Sequence, residues 1–219
     1  MIKRKILFGD YDTASDGLLT LTGWALTAPV YKSNFVAVPG RDGDLDLTTA
    51  LTEGEPRYSN RTLTATFESS EGTRLDRQEI FDDLLARLDG RRVNIVLPDY
   101  EDFYLDGRAH VAISYNDPVH GALTVTANCL PWRFAVNETV QTLTASSTVR
   151  QVILRNYGRR VAIPTVTVAG SVSLSFGSRT WSLSDGTYTL PELALRPGAN
   201  TISYSGSGTV TIRYREAIL

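Results

Sequence analysis

The chain has 219 residues, 42% of them hydrophobic, with a formal net charge of −2, enough apolar content for one large β domain or two small ones with their own cores. Its single cysteine, Cys129, excludes an internal disulfide framework and a cysteine-held metal cluster. No stretch approaches the ~20 apolar residues that cross a bilayer, and Ile6-Leu7-Phe8 is too short for a signal-peptide core, so the chain is expected to be made inside a cell.

In chain order, Ile2 to Phe8 reads as a strand, Asp10, Asp12, Asp16 and Gly17 as a loop, and Leu18 to Leu26 alternates apolar residues with Thr at the period of a half-buried strand. Phe35 to Val38 is a further strand, stopped by Pro39-Gly40, and Leu63 to Phe67 alternates again. Thr73 is an N-cap candidate with Asp76 three residues on, and the spacing predicts one helix over Arg74 to Asp89 with Phe81, Leu84, Leu85 and Leu88 on one face. Gly90 is its C-terminal cap candidate. Strands are predicted at Val93 to Leu97, Ala109 to Tyr115 and Ala122 to Leu130. Asn116-Asp117-Pro118 and Gly121 turn the last two into a hairpin.

Ala135 to Thr148 is rich in Thr, Ser, Asn and Gln without an apolar stripe, which predicts a boundary between a first domain at 1–136 and a second at 137–219. The acidic excess lies before Thr139 and the basic excess after it. That asymmetry suits complementary contacts between neighbouring subunits or domains and equally suits two ordinary surfaces. Beyond the boundary, Val149 to Leu154, Ala162 to Val168, Val172 to Phe176, Thr180 to Leu183, Thr187 to Leu190, Thr201 to Tyr204 and Thr209 to Tyr214 read as strands between Gly, Asp, Ser or Pro turns. Gly206-Ser207-Gly208 reads as a hairpin turn. Short strands at this spacing predict a β-sandwich or jelly roll without a helix.

Each kind of chemistry meets a plainer explanation. His110 and His120 lie on the two arms of the predicted hairpin without a metal-ligand spacing and read as hairpin residues. Asp42, Asp44 and Asp46 with Glu53 imitate a calcium loop, but Leu47 stands where such a loop needs Gly, and alternate acids on a strand are solvated or salt-bridged. Asp99, Glu101 and Asp102, among Tyr100, Phe103 and Tyr104, could form a sugar-cleaving carboxylate pair but read as a surface loop. Gly-x-Ser-x-Gly, Gly-x-Gly-x-x-Gly and the phosphate loop are absent. Arg159-Arg160 is no basic stripe for nucleic acid. Trp181, Tyr188, Tyr204 and Tyr214 could stack on sugars or fill a core. No catalytic residue, metal or cofactor is predicted.

Phe8-Gly9, Pro39-Gly40-Arg41-Asp42-Gly43-Asp44-Leu45-Asp46-Leu47, the Tyr58 to Phe67 strand, the lone helix, Asp106-Gly107-Arg108 and Cys129-Leu130-Pro131-Trp132-Arg133 follow one another in an order that resembles the distal tail proteins (Dit) of long-tailed, siphovirus-type bacteriophages. The resemblance implies a mainly β protein: an N-terminal barrel-like or sandwich-like domain with one α-helix that closes as a hexameric ring, then a C-terminal galectin-like or jelly-roll sandwich facing outward. It implies a structural, non-enzymatic hub at the virion tail tip, made in the host cytoplasm. That hub joins the tail tube protein to the tail-tip hub protein or baseplate, with the tape-measure and receptor-binding proteins as further partners, and involves neither membrane nor nucleic acid.

A ring subunit satisfies its sheet edges through its neighbours, and the seam is expected near Arg41, Asp42, Asp44 and Asp46. The second domain, about eighty residues long, has no room for an inserted arm or a further sugar-binding module. Two other readings stand beside the hub: a carbohydrate-binding or adhesin module stacking sugars on Trp181 and Tyr188, and a tail-tube subunit.

Overall fold

The computed structural model describes residues 4–52, 54–69, 72–114 and 121–219, which form two compact units, 1–133 and 134–219. Both are mainly β, and the described residues contain one α-helix. That helix is too short to cross a membrane. Glu53, His120 and the predicted Asn116-Asp117-Pro118 turn lie outside the described residues.

The first unit contains β1 (Leu7–Phe8), β2 (Tyr11–Asp12), β3 (Thr20–Leu26), β4 (Phe35–Val36), β5 (Leu45–Asp46), β6 (Arg61–Ser69), α1 (Arg74–Leu88), β7 (Arg92–Val96), β8 (Phe103–Ser114) and most of β9 (Gly121–Ala135). One sheet runs in the order β2-β1-β7-β8-β9-β6-β3, and β4 and β5 form a separate two-stranded sheet. Odd-numbered residues of β6 and β9 face the core in register: Leu63 opposite Ala127, Ala65 opposite Val125 and Phe67 opposite Leu123. Thr62, Thr64, Thr124 and Thr126 take the other face, the alternation a one-sided sheet requires. The N-terminal strand is shorter than its composition suggests. After Phe8 the chain turns at Gly9 into β2, and β1 finds its longer partner in β7.

Helix α1 begins with a complete capping box: Asp76 N–H donates to Thr73 Oγ1 (3.3 Å) and Thr73 N–H donates to Asp76 Oδ2 (2.6 Å), which satisfies two of the orphan donors of the first turn. Phe81, Leu84 and Leu88 are buried in the same core as the sheet, and Leu85 is half-buried against it. Arg77, which the apolar pattern gives no reason to bury, is also buried; its Nη1 donates to the Gly72 carbonyl at 3.0 Å. Asp89 ends the helix in extended conformation, and Gly90 follows at φ +71°.

The second unit contains β10 (Thr139–Ala145), β11 (Arg150–Asn156), β12 (Thr165–Phe176), β13 (Arg179–Leu183), β14 (Gly186–Thr189), β15 (Gly198–Tyr214) and β16 (Ala217–Ile218). Two expectations need correction here. The segments Ala162 to Val168 and Val172 to Phe176 are not two strands around a turn: from Thr165 onward they form one strand, β12, and Ala162 makes only an isolated bridge to Leu195. Likewise Gly206-Ser207-Gly208 is not a hairpin turn but the middle of β15. In addition, Thr139 to Ala145, read as part of a featureless boundary, forms strand β10 and pairs with the second half of β15.

The glycines explain the long strands. Gly170 lies opposite Gly208, and Val172 opposite Gly206, with φ of +118°, +109° and +132° at the three glycines. Any Cβ there would run into a carbonyl oxygen across the pair: Ser207 for Gly170, Ser171 for Gly206 and Ala169 for Gly208. Val166, Val168, Val172 and Leu174 on β12, and Ile202, Tyr204, Val210 and Ile212 on β15, have the same parity as these glycines and share one core. Glycine on the concave side therefore lets both strands bend together, so that one hydrogen-bonded sheet folds over its own apolar face. Beyond the corner, β11, the first half of β15, the second half of β12 and β13 make one layer; β10, the second half of β15, the first half of β12 and β14 make the other.

A candidate interaction surface

Between β3 and β6 the chain leaves the sheet and returns 34 residues later, and none of the described residues from 27 to 60 is buried. This arm is held to itself by a sparse ladder. Ser59 N–H donates to Val30 O (2.8 Å), Lys32 N–H to Arg57 O (2.7 Å) and Leu47 N–H to Asn34 O (2.8 Å). Phe35 pairs with Asp46 and Val36 with Leu45. Two-stranded ribbons of this kind are marginal in water because they bury too little apolar surface. The arm instead displays apolar side chains: Val30, Tyr31 and Phe35 are more than half exposed, and Leu51 is 98% exposed.

The residues expected at a subunit seam all lie on this arm. Arg41, Asp42 and Asp44 sit in the exposed turn after Val38, where Arg41 N–H donates to Val38 O at 3.2 Å. Asp46 lies on β5 and accepts from Thr48 N–H at 2.9 Å. Hydrogen bonds from Thr48, side chain first and backbone second, hold the Asp46 carboxyl below its ordinary range. The carboxylates of Asp42 and Asp44 have no partner among the described residues.

Where the arm joins the sheet, basic and aromatic groups collect, a grouping that sequence inspection misses because its members come from four separate stretches. Arg61 is only 7% exposed. It stands opposite Cys129, on the core-facing side of β6 at the end where the apolar residues run out. Its Nε donates to the Thr27 carbonyl at 2.7 Å, and Nη1 is buried with no hydrogen-bond partner among the described residues. Burial lowers the Arg61 pKa, and the neighbouring charge of Arg133 pushes in the same direction. Arg133 lies 4.4 Å over the Tyr100 ring, Trp24 meets Tyr100 edge to face at 6.4 Å, and Tyr58 meets Trp132 at 5.7 Å. Beside this cluster, β3 pairs only with β6 among the described residues, and its Thr-Leu-Thr-Gly-Trp-Ala-Leu sequence lacks the charge that usually protects an open edge.

The other candidates fall elsewhere. His110 is exposed on β8 with Nδ1 2.8 Å from Asp89 Oδ1. The Val111 backbone first, and then His110, lower the Asp89 pKa. Arg92 makes a bidentate pair with Asp106, and Arg108 donates to Gly90 O. Together they line an open depression of about 480 Å³ whose charged groups find their partners within it. Asp99, Glu101 and Asp102 are exposed in the turn after β7. Cys129 is buried, and burial pushes its thiol up to about 11, so the sulfur is protonated and inert near neutral pH. Trp181 pairs with Leu174 and Tyr188 with Val166, on opposite sides of the Gly170 corner, and both rings are half-buried against the core. The structure therefore does not unite them on one face; Tyr204 and Tyr214 are buried.

No protein-family model matches the chain, and no curated protein matches its sequence. Its fold is nevertheless that of a phage distal tail protein: a mainly β chain with one helix and several sheets, similar over nearly its whole length to a solved example. That example is the crystal structure of SPP1 Dit (gp 19.1), described as a paradigm of hub adsorption apparatus in phages infecting Gram-positive bacteria. It matches with a TM-score of 0.70 at 16% identity, over 99% of this chain and 99% of its own. At that identity the likeness is one of fold.

Proposed function

We propose that the chain is a non-enzymatic distal tail protein that closes as a six-membered ring at the virion tail tip. The ring joins the tail tube to the tail-tip hub or baseplate, with the tape-measure and receptor-binding proteins as further partners. The observation that carries this reading is the end-to-end match to SPP1 Dit, which takes in both units and not one widespread β module. The arm supports it from physical chemistry, because a coreless segment bearing exposed Val30, Tyr31, Phe35 and Leu51 is stabilised by burial on another surface. Head-to-tail burial of unlike surfaces closes a ring when the rotation per copy divides a full turn. In this reading the second unit faces outward as a galectin-like sandwich.

Native mass spectrometry and electron micrographs of the purified full chain test the proposal. Annular particles of six copies are expected. Monomer or dimer at every concentration removes the ring, and with it the hub.

A further inference from the structure

Two features of the first unit complement one another. The arm's turn carries two carboxylates, Asp42 and Asp44, without partners among the described residues, and beside them the exposed apolar side chains of Phe35, Val36 and Val38. The arm root carries two neighbouring guanidinium groups, Arg61 and Arg133, beside the half-exposed aromatic pair of Trp24 and Tyr100. Within one copy these cannot meet. The ladder from Val30–Ser59 to Val36–Leu45 keeps the arm extended, which holds its turn on the order of 20 Å from its own root at ~3.3 Å per residue.

We infer that the turn of one copy docks on the arm root of a second copy, Asp42 and Asp44 against Arg61 and Arg133, and Phe35 and Val38 against Trp24 and Tyr100. This rests on the ring proposed above and supplies its seam. The contact is heterologous: each copy gives its turn to one neighbour and receives at its root the turn of the other. Repetition uses up every turn and root only when the ring closes. Carboxylates at the root also offset the charge of two neighbouring guanidinium groups, Arg61 and Arg133, and apolar side chains packed over the aromatic pair exclude water from it.

The test is the Asp42→Asn/Asp44→Asn double variant of the full chain, compared with the parent by native mass spectrometry across protein concentration and salt. Both residues are exposed and make no hydrogen bond or ion pair to a described residue, so the variant folds as the parent does. The concentration for half-assembly is expected to rise about tenfold or more at low salt, and its dependence on salt to flatten. In a second experiment, Asp44→Cys copies are mixed with Tyr100→Cys copies under oxidising conditions, and a disulfide between unlike copies is expected. A parent that forms rings while the double variant assembles at the same concentration with the same salt response overturns the seam and leaves the ring standing. A parent that stays monomeric overturns both.

Discussion

Buried polar and ionisable side chains fix much of the local detail. Asn156 shows how: its Nδ2 donates to the Arg160 and Leu195 carbonyls at 2.8 and 3.0 Å, and its Oδ1 accepts from Gly158 N–H at 2.9 Å. Replacing it by Ala leaves three backbone groups without that partner in a buried site and should lower stability by about 2 kcal/mol in chemical denaturation. Cys129 gives a chemical readout. Its thiol should resist aromatic disulfide reagents at pH 8 in the native protein and react within seconds once denaturant unfolds the chain. Its pKa rises from an ordinary 9.0 to about 11 on folding. The unfolded chain therefore releases that proton first, and stability present below pH 9 is lost as pH climbs through 9 to 11. Cys129→Ala should remove this part of the alkaline loss. The further loss from Tyr11, whose burial pushes it to about 12, should remain.

Among the elements, α1 was legible because its signals are local: a cap, a helical stripe and a terminal glycine within one short stretch. Thr73→Ala should cost about 1 kcal/mol through the lost capping box, and Phe81→Ala about 3 to 5 kcal/mol through the core it shares with the sheet; thermal denaturation checks both. The bent strands were not legible, because a glycine in a turn and a glycine on the concave side of a bent strand look alike in sequence. What separates them is whether the apolar parity continues across the glycine, and it does from Val168 to Val172 and from Tyr204 to Val210. Gly208→Val should therefore destabilise the second unit by about 3 kcal/mol or more, since both its φ and the Ala169 carbonyl oppose a side chain. A hairpin-turn glycine could take a polar residue far more cheaply. Strand β10 escaped notice for another reason: only Leu143 and Ala145 of its side chains are buried, so its composition resembles a linker.

For the whole molecule, the sequence carried the β class and the order of landmarks, while the clustering of Trp24, Arg61, Tyr100 and Arg133 appeared only once β3, β6, β9 and the turn after β7 were brought together. The exposed acids of the arm could be read as solvent-facing; that they are borne on a segment without a core could not. Replacing residues 33–47 by a tight turn should leave a soluble chain with nearly unchanged melting temperature, because no described residue of that stretch contributes to either core. Assembly into the proposed ring, read by native mass spectrometry, should be abolished. A large fall in melting temperature of the dilute monomer would show that the arm stabilises its own fold instead.

The corner at Gly170, Gly206 and Gly208 has a mechanical consequence. In a sandwich of separate sheets, the layers are coupled by side-chain packing and by loops. Here β12 and β15 each run through both layers, so a load on one layer reaches the other along two continuous backbones, and one layer cannot slide over the other without breaking the shared ladder. Unfolding under tension should then show a single rupture for the second unit, with no intermediate of one opened layer.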